Sequence, residues 1–580
     1  MITLRFLERG LVFVLGLIAL MRLCVWKLFP GGETFIKENG GNLLVAVAIF
    51  SAGILFIALK FAKREPVFRS GLETPLCLFF TAAAVSLFFT YDFSITTKLV
   101  LVLAAHLLFF VMLADLLSSQ KRIKALLYFL LACAAVTAFF GIQEYFMLSG
   151  RAPLPSDKSL AVYQNSLYYI LTSKRVTSFL GWPNVLAGFL MLFLPVVAGF
   201  LFMARNWWLR FFWLGLGLLL LGCFFLTFSF LGWLSFLLAI SATALLLLRS
   251  RWKIELSPRQ RIFIFAAGIV LLGLFVFVFT RKSFLGSLLP RVYYYKSALA
   301  LLKSHPFFGV GYGAFRYASA PLIENRDAFS AYVHNSYLQA WVETGIAGCA
   351  ALVWLFILFL IKSREVFCKV SGGKLKYLFL GVTAGVVAFF IDNFFSFTIL
   401  KPNISLFGWL MLAVWAGLAR QMLPPSQSVV ESPLWSRVKG VLALGVLVLF
   451  FIAVFRMSEA VLVAYRADQA LAGEDFTTGI ALLQKTEILD SRDVQYPFAL
   501  GVAFIKLYRL ARSPDLIDRA EKEFLEAVRR SPHAYESYFI LAKIYEYKKD
   551  SPRALDFSRR AALASPFEYQ RDAQFIKGIF

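Results

Sequence analysis

Thirteen apolar runs, at 10–27, 43–60, 74–90, 97–118, 124–147, 183–204, 207–227, 229–248, 262–280, 344–361, 376–398, 403–419 and 438–456, constrain this chain more than any other feature. Each approaches the ~20 residues that a helix needs to cross ~30 Å of hydrocarbon. In lipid the backbone must satisfy its own polar groups, so apolar runs of this length read as helices. The expected fold class is therefore all-α: a polytopic membrane helix bundle of about 12–13 spans over residues 1–456, followed by an α-helical repeat region at 457–580. The first run follows Arg5 and Arg9 as a signal peptide would, but no small-residue cleavage site follows it, so it is expected to be retained.

The net charge of +25 belongs to the apolar part. Residues 1–456 hold 41 Lys and Arg against 16 Asp and Glu, whereas residues 457–580 hold 18 against 18. Basicity confined to membrane-flanking loops is no sign of nucleic-acid binding. Short loops rich in Lys and Arg stay in the cytoplasm, and with the N-terminus inside, alternate connections carry Lys60, Lys63, Arg64 and Arg69, then Lys121, Arg122 and Lys124, then Arg249, Arg251, Lys253, Arg259 and Arg261. The short loops on the other side hold only Lys27, Lys37, Lys98 and Lys401. This asymmetry puts the 148–182 and 281–333 connections and the C-terminal tail on the outer face. None of the six cysteines falls in an outer loop, so neither disulfides nor a cysteine metal site is expected.

Beyond Arg456 the chain becomes charged, and a pattern recurs at a spacing of 34 residues. Ala520, Phe524, Ala527 and Pro532 return as Ala554, Ser558, Ala561 and Pro566, the second set preceded by Tyr538, Leu541, Ala542 and Tyr545. Small residues that let paired helices approach, with a closing Pro, match a tetratricopeptide repeat. Such a region serves either as a docking surface for a partner protein or acceptor, or as a stabilising cap. His533 is expected to be a solvent-facing turn residue.

Both long outer connections are basic. The 281–333 connection carries Arg281, Lys282, Arg291, Lys296, Lys303, Arg316 and Arg326 against Glu324 and Asp327; the 148–182 connection carries Arg151, Lys158, Lys174 and Arg175 against Asp157. Cations on the face that short loops keep clear of them point to an anionic ligand, and a diphosphate suits guanidinium forks. Neither connection contains closely spaced carboxylates, so metal ligands are not expected, nor is a cofactor. Of four histidines, His334 stands where the basic connection meets the next apolar run, followed by Asn335. It is either a base or an interfacial residue beside a helix cap. His106 is expected to pack against another helix, His305 to belong to the glycine-rich turn, and Asp392-Asn393 to border the same outer cavity.

Four stretches together resemble the O-antigen ligase family, over roughly residues 170–420. They are Arg175-x-Thr177-Ser178-Phe179-x-Gly181-x-Pro183-Asn184-x-x-Ala187; Arg291-x-x-Tyr294 with Ala298; Pro306-x-x-Gly309-x-Gly311-x-Gly313-x-Phe315; and His334-Asn335-x-x-Leu338 through Glu343-x-Gly345-x-x-Gly348. The resemblance implies a bacterial inner-membrane glycosyltransferase that moves a glycan from a polyprenyl-diphosphate carrier to a lipid, glycan or protein acceptor by inverting, metal-independent displacement on the outer face. It implies His334 as base and Arg291 as a diphosphate contact, with Arg175, Lys296, Asn184, Asn335 and Glu343 as candidate substrate-binding residues. A polymerase or protein ligase of the same family, and a non-enzymatic lipid-linked glycan transporter or scaffold, are the alternatives. One departure stands out: where the family shows Thr-x-Ser-Arg, this chain reads Thr227-Phe228-Ser229-Phe230. An aromatic ring does not replace a bidentate cation, which leaves Arg175 or Lys296 to substitute, or the substrate or activity to differ.

Overall fold

The computed structural model describes residues 2–24, 34–149, 175–248, 282–323, 330–370, 373–423 and 433–575. These form helices α1 (Ile2–Cys24), α2 (Thr34–Lys63), α3 (Glu73–Val85), α4 (Phe93–Leu116), α5 (Gln120–Ser149), α6 (Pro183–Met203), α7 (Trp207–Leu226), α8 (Phe230–Leu248), α9 (Lys282–Ser304), α10 (Phe315–Ser319), α11 (Ser336–Lys369), α12 (Leu375–Asp392), α13 (Pro402–Met422) and α14 (Pro433–Ala472). Six further helices follow: α15 (Phe476–Leu489), α16 (Gln495–Ala511), α17 (Asp515–Arg530), α18 (Tyr535–Tyr547), α19 (Ser551–Ala564) and α20 (Pro566–Phe575). No strand occurs among the described residues. The protein is an all-α membrane helix bundle, in which ten of the described helices are long and apolar enough to cross a bilayer.

Three expectations change. The run at 74–90 is not one regular helix: α3 ends at Val85 and the chain continues as a 3-10 turn, Ser86–Phe89, which leaves it shorter than the ten. The run at 376–398 ends at Asp392, where Asn393 Oδ1 accepts from Ile399 N at 2.8 Å and closes a non-helical turn to Lys401. The 281–333 connection is not a loop throughout, since it contains the 23-residue α9, whose polar residues hid it from a search for apolar runs. The expected span at 262–280 and Arg151, Asp157, Lys158, Lys174, Arg249, Arg251, Lys253, Arg259, Arg261, Arg281, Glu324, Arg326, Asp327 and Lys27 lie outside the described residues.

Burial separates core helices from lipid-facing ones. The spanning window of α13 is 94% buried and that of α14 only 6%. Lipid is as apolar as Leu, so membrane helices associate through close packing of small residues. A Cβ on Gly385 or Gly381 of α12 would lie 2.3 Å from Leu192 O or 2.4 Å from Pro195 O of α6, so these two backbones touch. His106 of α4 packs against α13 as expected, its Nδ1 3.1 Å from Ser405 Oγ.

Helix α14 is 40 residues long, about 60 Å at 1.5 Å per residue, and so runs along the edge of the bundle, against α2, and beyond it. Its continuation, α15–α20, folds back onto the end of the bundle from which α4, α11 and α13 start. Lys98, 3% exposed, pairs there with Asp490 at 2.7 Å and with Asp493. Arg492 lies over Phe93, and His533 stacks on Tyr91 with ring centroids 4.4 Å apart, so His533 is an interface residue rather than a simple solvent-facing one. Within the tail, Ala520, Ala527, Ala554 and Ala561 are buried between consecutive helices, as are Tyr538, Leu541, Ala542 and Tyr545.

Removing one partner of a buried ion pair leaves the other charge uncompensated, at a cost of about 3–5 kcal/mol. Lys98→Met is therefore expected to lower the unfolding temperature and to expose 457–580 to trypsin, whereas K98M combined with D490N and D493N recovers protection. Unchanged protection in K98M would show that the pair does not hold the tail in place.

Candidate functional site

The segment before α11 is fixed from both sides. Asn335 caps the helix, its Oδ1 accepting from Tyr337 N at 3.1 Å and Leu338 N at 3.0 Å. Ser336 N donates to Asn393 O at 2.8 Å and Ser336 Oγ to Asn393 Oδ1 at 2.6 Å, while Val333 N donates to Gln339 Oε1 at 3.0 Å. His334 between them has φ 60°, a left-handed conformation that costs a non-glycine residue roughly 1–3 kcal/mol and persists where the surroundings over-determine it.

The imidazole stacks on Tyr294 of α9, with centroids 5.4 Å apart, and meets Phe397 edge-on at 4.8 Å. Its Nδ1 is sealed from solvent and has no hydrogen-bond partner. Burial first, then the positive charges of Arg291 and Lys401, push the ring's pKa down to about 3, so the neutral form prevails. A neutral imidazole with an unengaged nitrogen has the protonation state a general base needs.

Arg291 of α9 is 8% exposed, and its Nη1 donates to Phe395 O at 2.9 Å. Asp392, buried at the end of α12, lies within electrostatic reach of it and accepts from Thr398 Oγ1 at 3.4 Å. Arg175 lies close enough to Arg291 for the two charges to repel. The Arg175 guanidinium donates through Nε to Thr227 O at 2.9 Å and through Nη2 to Asn184 Oδ1 at 2.8 Å, and Ser229 Oγ also donates to Asn184 Oδ1, at 3.0 Å. Glu144 of α5 anchors the same stretch by accepting from Thr177 N and Oγ1 and from Ser178 N. Arg175 thus reaches the Thr227–Ser229 turn, beside the position that Phe230 leaves without a cation.

Other candidates stand apart from this group. Lys296 is exposed and, at 3.6 residues per turn, lies about 140° around α9 from Arg291. Glu343 is 1% exposed, eight residues down α11 from Asn335, and accepts from Gln339 Nε2 at 2.9 Å and from the backbone of Gly313 and Phe315. It therefore holds the glycine-rich turn rather than facing His334. That turn has to be glycine because a Cβ on Gly309 would lie 2.4 Å from Glu343 C, and one on Gly345, at the kink of α11 with φ 72°, 1.8 Å from Phe307 O. The Asn335 Oδ1 is occupied by capping.

Lys401 was noted only as a charge in a short outer loop. It is 2% exposed, with Nζ 5.5 Å from the ring centre of Trp182, 5.4 Å from Tyr332 and 5.7 Å from Phe397. In sequence its signal is a cation in a short connection expected on the outer side, where the charge bias disfavours one. Among the described residues no group of three His, Cys, Asp or Glu side chains is placed to hold a metal. A cleft of about 490 Å³ opens between α9 and the tail, lined by Tyr91, Ser304, Leu322, His533 and Arg560, and none of the candidate residues lines it.

Residues 215–353 match the family model described as O-antigen ligase. The match takes in Arg291, His334, Asn335, Glu343 and the Thr227–Phe230 turn, and leaves Arg175, Asn184 and Lys401 outside. No curated protein matches the chain. The chain is thus similar over this stretch to membrane glycan-processing ligases.

The depressed His334 pKa has a sign that can be read in rates. A base with a pKa near 6.5 loses activity as pH falls through that value, whereas one near 3 stays neutral. Because kcat/KM reports the free enzyme, kcat/KM for glycan transfer is expected to stay level from pH 8 to pH 5. An acid limb near 6.5 would contradict the arrangement of His334 among Arg291 and Lys401.

Proposed function

We propose that the protein is an O-antigen ligase-like glycosyltransferase of a bacterial inner membrane, working at the outer, periplasmic face on a polyprenyl-diphosphate-linked glycan. The single observation that carries this reading is a half-buried histidine whose Nδ1 is sealed from solvent and unengaged, within electrostatic reach of the buried Arg291. The family match over 215–353 and the basic character of the outer connections support it.

In the proposed step the acceptor hydroxyl oxygen attacks the anomeric carbon as its proton passes to His334. The bond from that carbon to the diphosphate oxygen breaks, and its electron pair leaves with the diphosphate. Arg291 stabilises the departing charge as a fixed donor in a site of low dielectric. Arg175 acts beside it, in place of the cation missing at Phe230. Attack from the face opposite the leaving group inverts the anomeric configuration, and no metal is assigned a role. Asn335, Asn184 and Glu343 serve by holding His334, Arg175 and the glycine-rich turn.

The tail docks at the same end of the bundle as His334, through Lys98 and Tyr91. That position favours, as a second reading, a member of the same family whose tetratricopeptide-like region presents a protein acceptor.

His334→Ala in the full-length protein is expected to lower glycan transfer by roughly 10²–10⁴-fold, the usual contribution of a positioned base, while membrane insertion and unfolding temperature stay near wild type. Transfer assayed with purified protein, defined polyprenyl-diphosphate oligosaccharides and a choice of lipid and protein acceptors checks this. Full activity in H334A would remove the proposed base.

A further inference from the structure

Lys401 lies on the turn that carries the site. Its ammonium faces the Phe397 ring at 5.7 Å, and the His334 ring meets that same Phe397 at 4.8 Å, which together bound the separation of Nζ from the imidazole centre at about 10.5 Å. Two residues before Phe397, the Phe395 carbonyl accepts from Arg291. A single nine-residue turn, 393–401, therefore carries one cation directly and holds another by hydrogen bond, and both act electrostatically on the base.

The rings around Lys401 come from separate parts of the chain. Tyr332 precedes His334 and stacks on Phe397 at 4.2 Å; Trp182 stands immediately before α6, two residues from the Asn184 that holds Arg175. Trp182 is 42% exposed and Tyr332 partly exposed, so the cage opens outward although Lys401 itself is buried. Ring faces attract a cation by about 0.5–2 kcal/mol and hold it in position without neutralising its charge. Lys401 is also the residue from which α13 starts, at the positive end of that helix. Arg291 and Lys401 thus both act on His334, Arg175 acts on Arg291, and Asp392 is the buried carboxylate in electrostatic reach of Arg291.

We propose that Lys401 is a further contact for the donor diphosphate, its ammonium meeting the phosphate oxygens opposite Arg291. This inference rests on reading the site as that of a diphosphate-leaving transferase. Arg291 offers a planar fork and Lys401 a point charge, so the two together take a diphosphate of either tilt. As the bond from the anomeric carbon to the diphosphate oxygen breaks, the electron pair arriving on that oxygen is stabilised from both sides, and the acceptor proton resides on His334. The family pattern contains no feature at this position that the resemblance used, and the match at 215–353 does not reach it.

The test is binding of undecaprenyl diphosphate, without sugar, to the full-length protein in lipid nanodiscs. K401Q and K401M are expected to bind at least tenfold more weakly than wild type, and K401R within about threefold of it. The unfolding temperatures of K401M, K401Q and K401R separate loss of charge from loss of fold, and K401R keeps the charge. Undecaprenyl diphosphate should also raise the unfolding temperature of wild type and of K401R, and not that of K401M or K401Q. Wild-type-like binding by K401M or K401Q, binding by K401R as weak as theirs, or an equal rise in unfolding temperature in K401M would each overturn the role of Lys401 and leave the proposed transferase standing. Failure of wild type itself to bind undecaprenyl diphosphate would overturn the transferase reading, and the Lys401 proposal with it.

Discussion

The rest of the site depends on how Asn393 is hydrogen-bonded. Its carbonyl and side-chain oxygens accept from Ser336 N and Oγ and from Ile399 N, while its Nδ2 donates to Phe389 O at 2.7 Å. One buried amide thereby joins the end of α12, the start of α11 and the turn leading into α13. Buried polar groups are costly unless satisfied, so an amide with partners on three elements admits few alternative arrangements. His334 holds its left-handed backbone because Asn335 caps the helix on one side of it and Gln339 ties Val333 on the other. From the same turn Phe395 holds Arg291, Phe397 faces His334, and Lys401 adds a second cation that acts on it.

Rigidity here serves electrostatics. A cation buried beside an imidazole keeps it neutral, and a cation fixed before the reaction needs no rearrangement when charge develops on a leaving group. Arg291 and Lys401 both act on His334, with Asp392 as a counterweight to Arg291. The tail adds a second, separate electrostatic joint at Lys98, where one buried ammonium meets Asp490 and Asp493. Of the four lysines in short outer loops, the two whose side chains are described, Lys98 and Lys401, are both buried and both join elements distant in sequence.

Much of this was legible in the chain. Apolar runs located the spanning helices because lipid imposes one local rule on every residue of a crossing. The His334, Arg291 and Arg175 motifs stand out in sequence because basic residues are unusual in connections expected on the outer side. Lys296 and Glu343 carried the same apparent weight in sequence and proved different: rotation about α9 turns Lys296 away from Arg291, and Glu343 is consumed by the backbone of the glycine-rich turn. Helix α9 gave no continuous apolar signal because Lys282, Arg291, Lys296 and Lys303 interrupt it.

The sequence by itself determined an all-α membrane protein, the positions of most of its spans, the helical character of its tail and the segments that hold its candidate chemistry. These follow from local composition and period, which act within a few turns of chain. Only the tertiary structure decided that Arg175 reaches the turn where Phe230 lacks a cation, that Lys401 rather than Lys296 stands near the base, and that the tail rests on the same end as His334. Each of those facts joins residues tens to hundreds of positions apart, and depends on which helix faces pack together, a property that no single stretch of the chain contains.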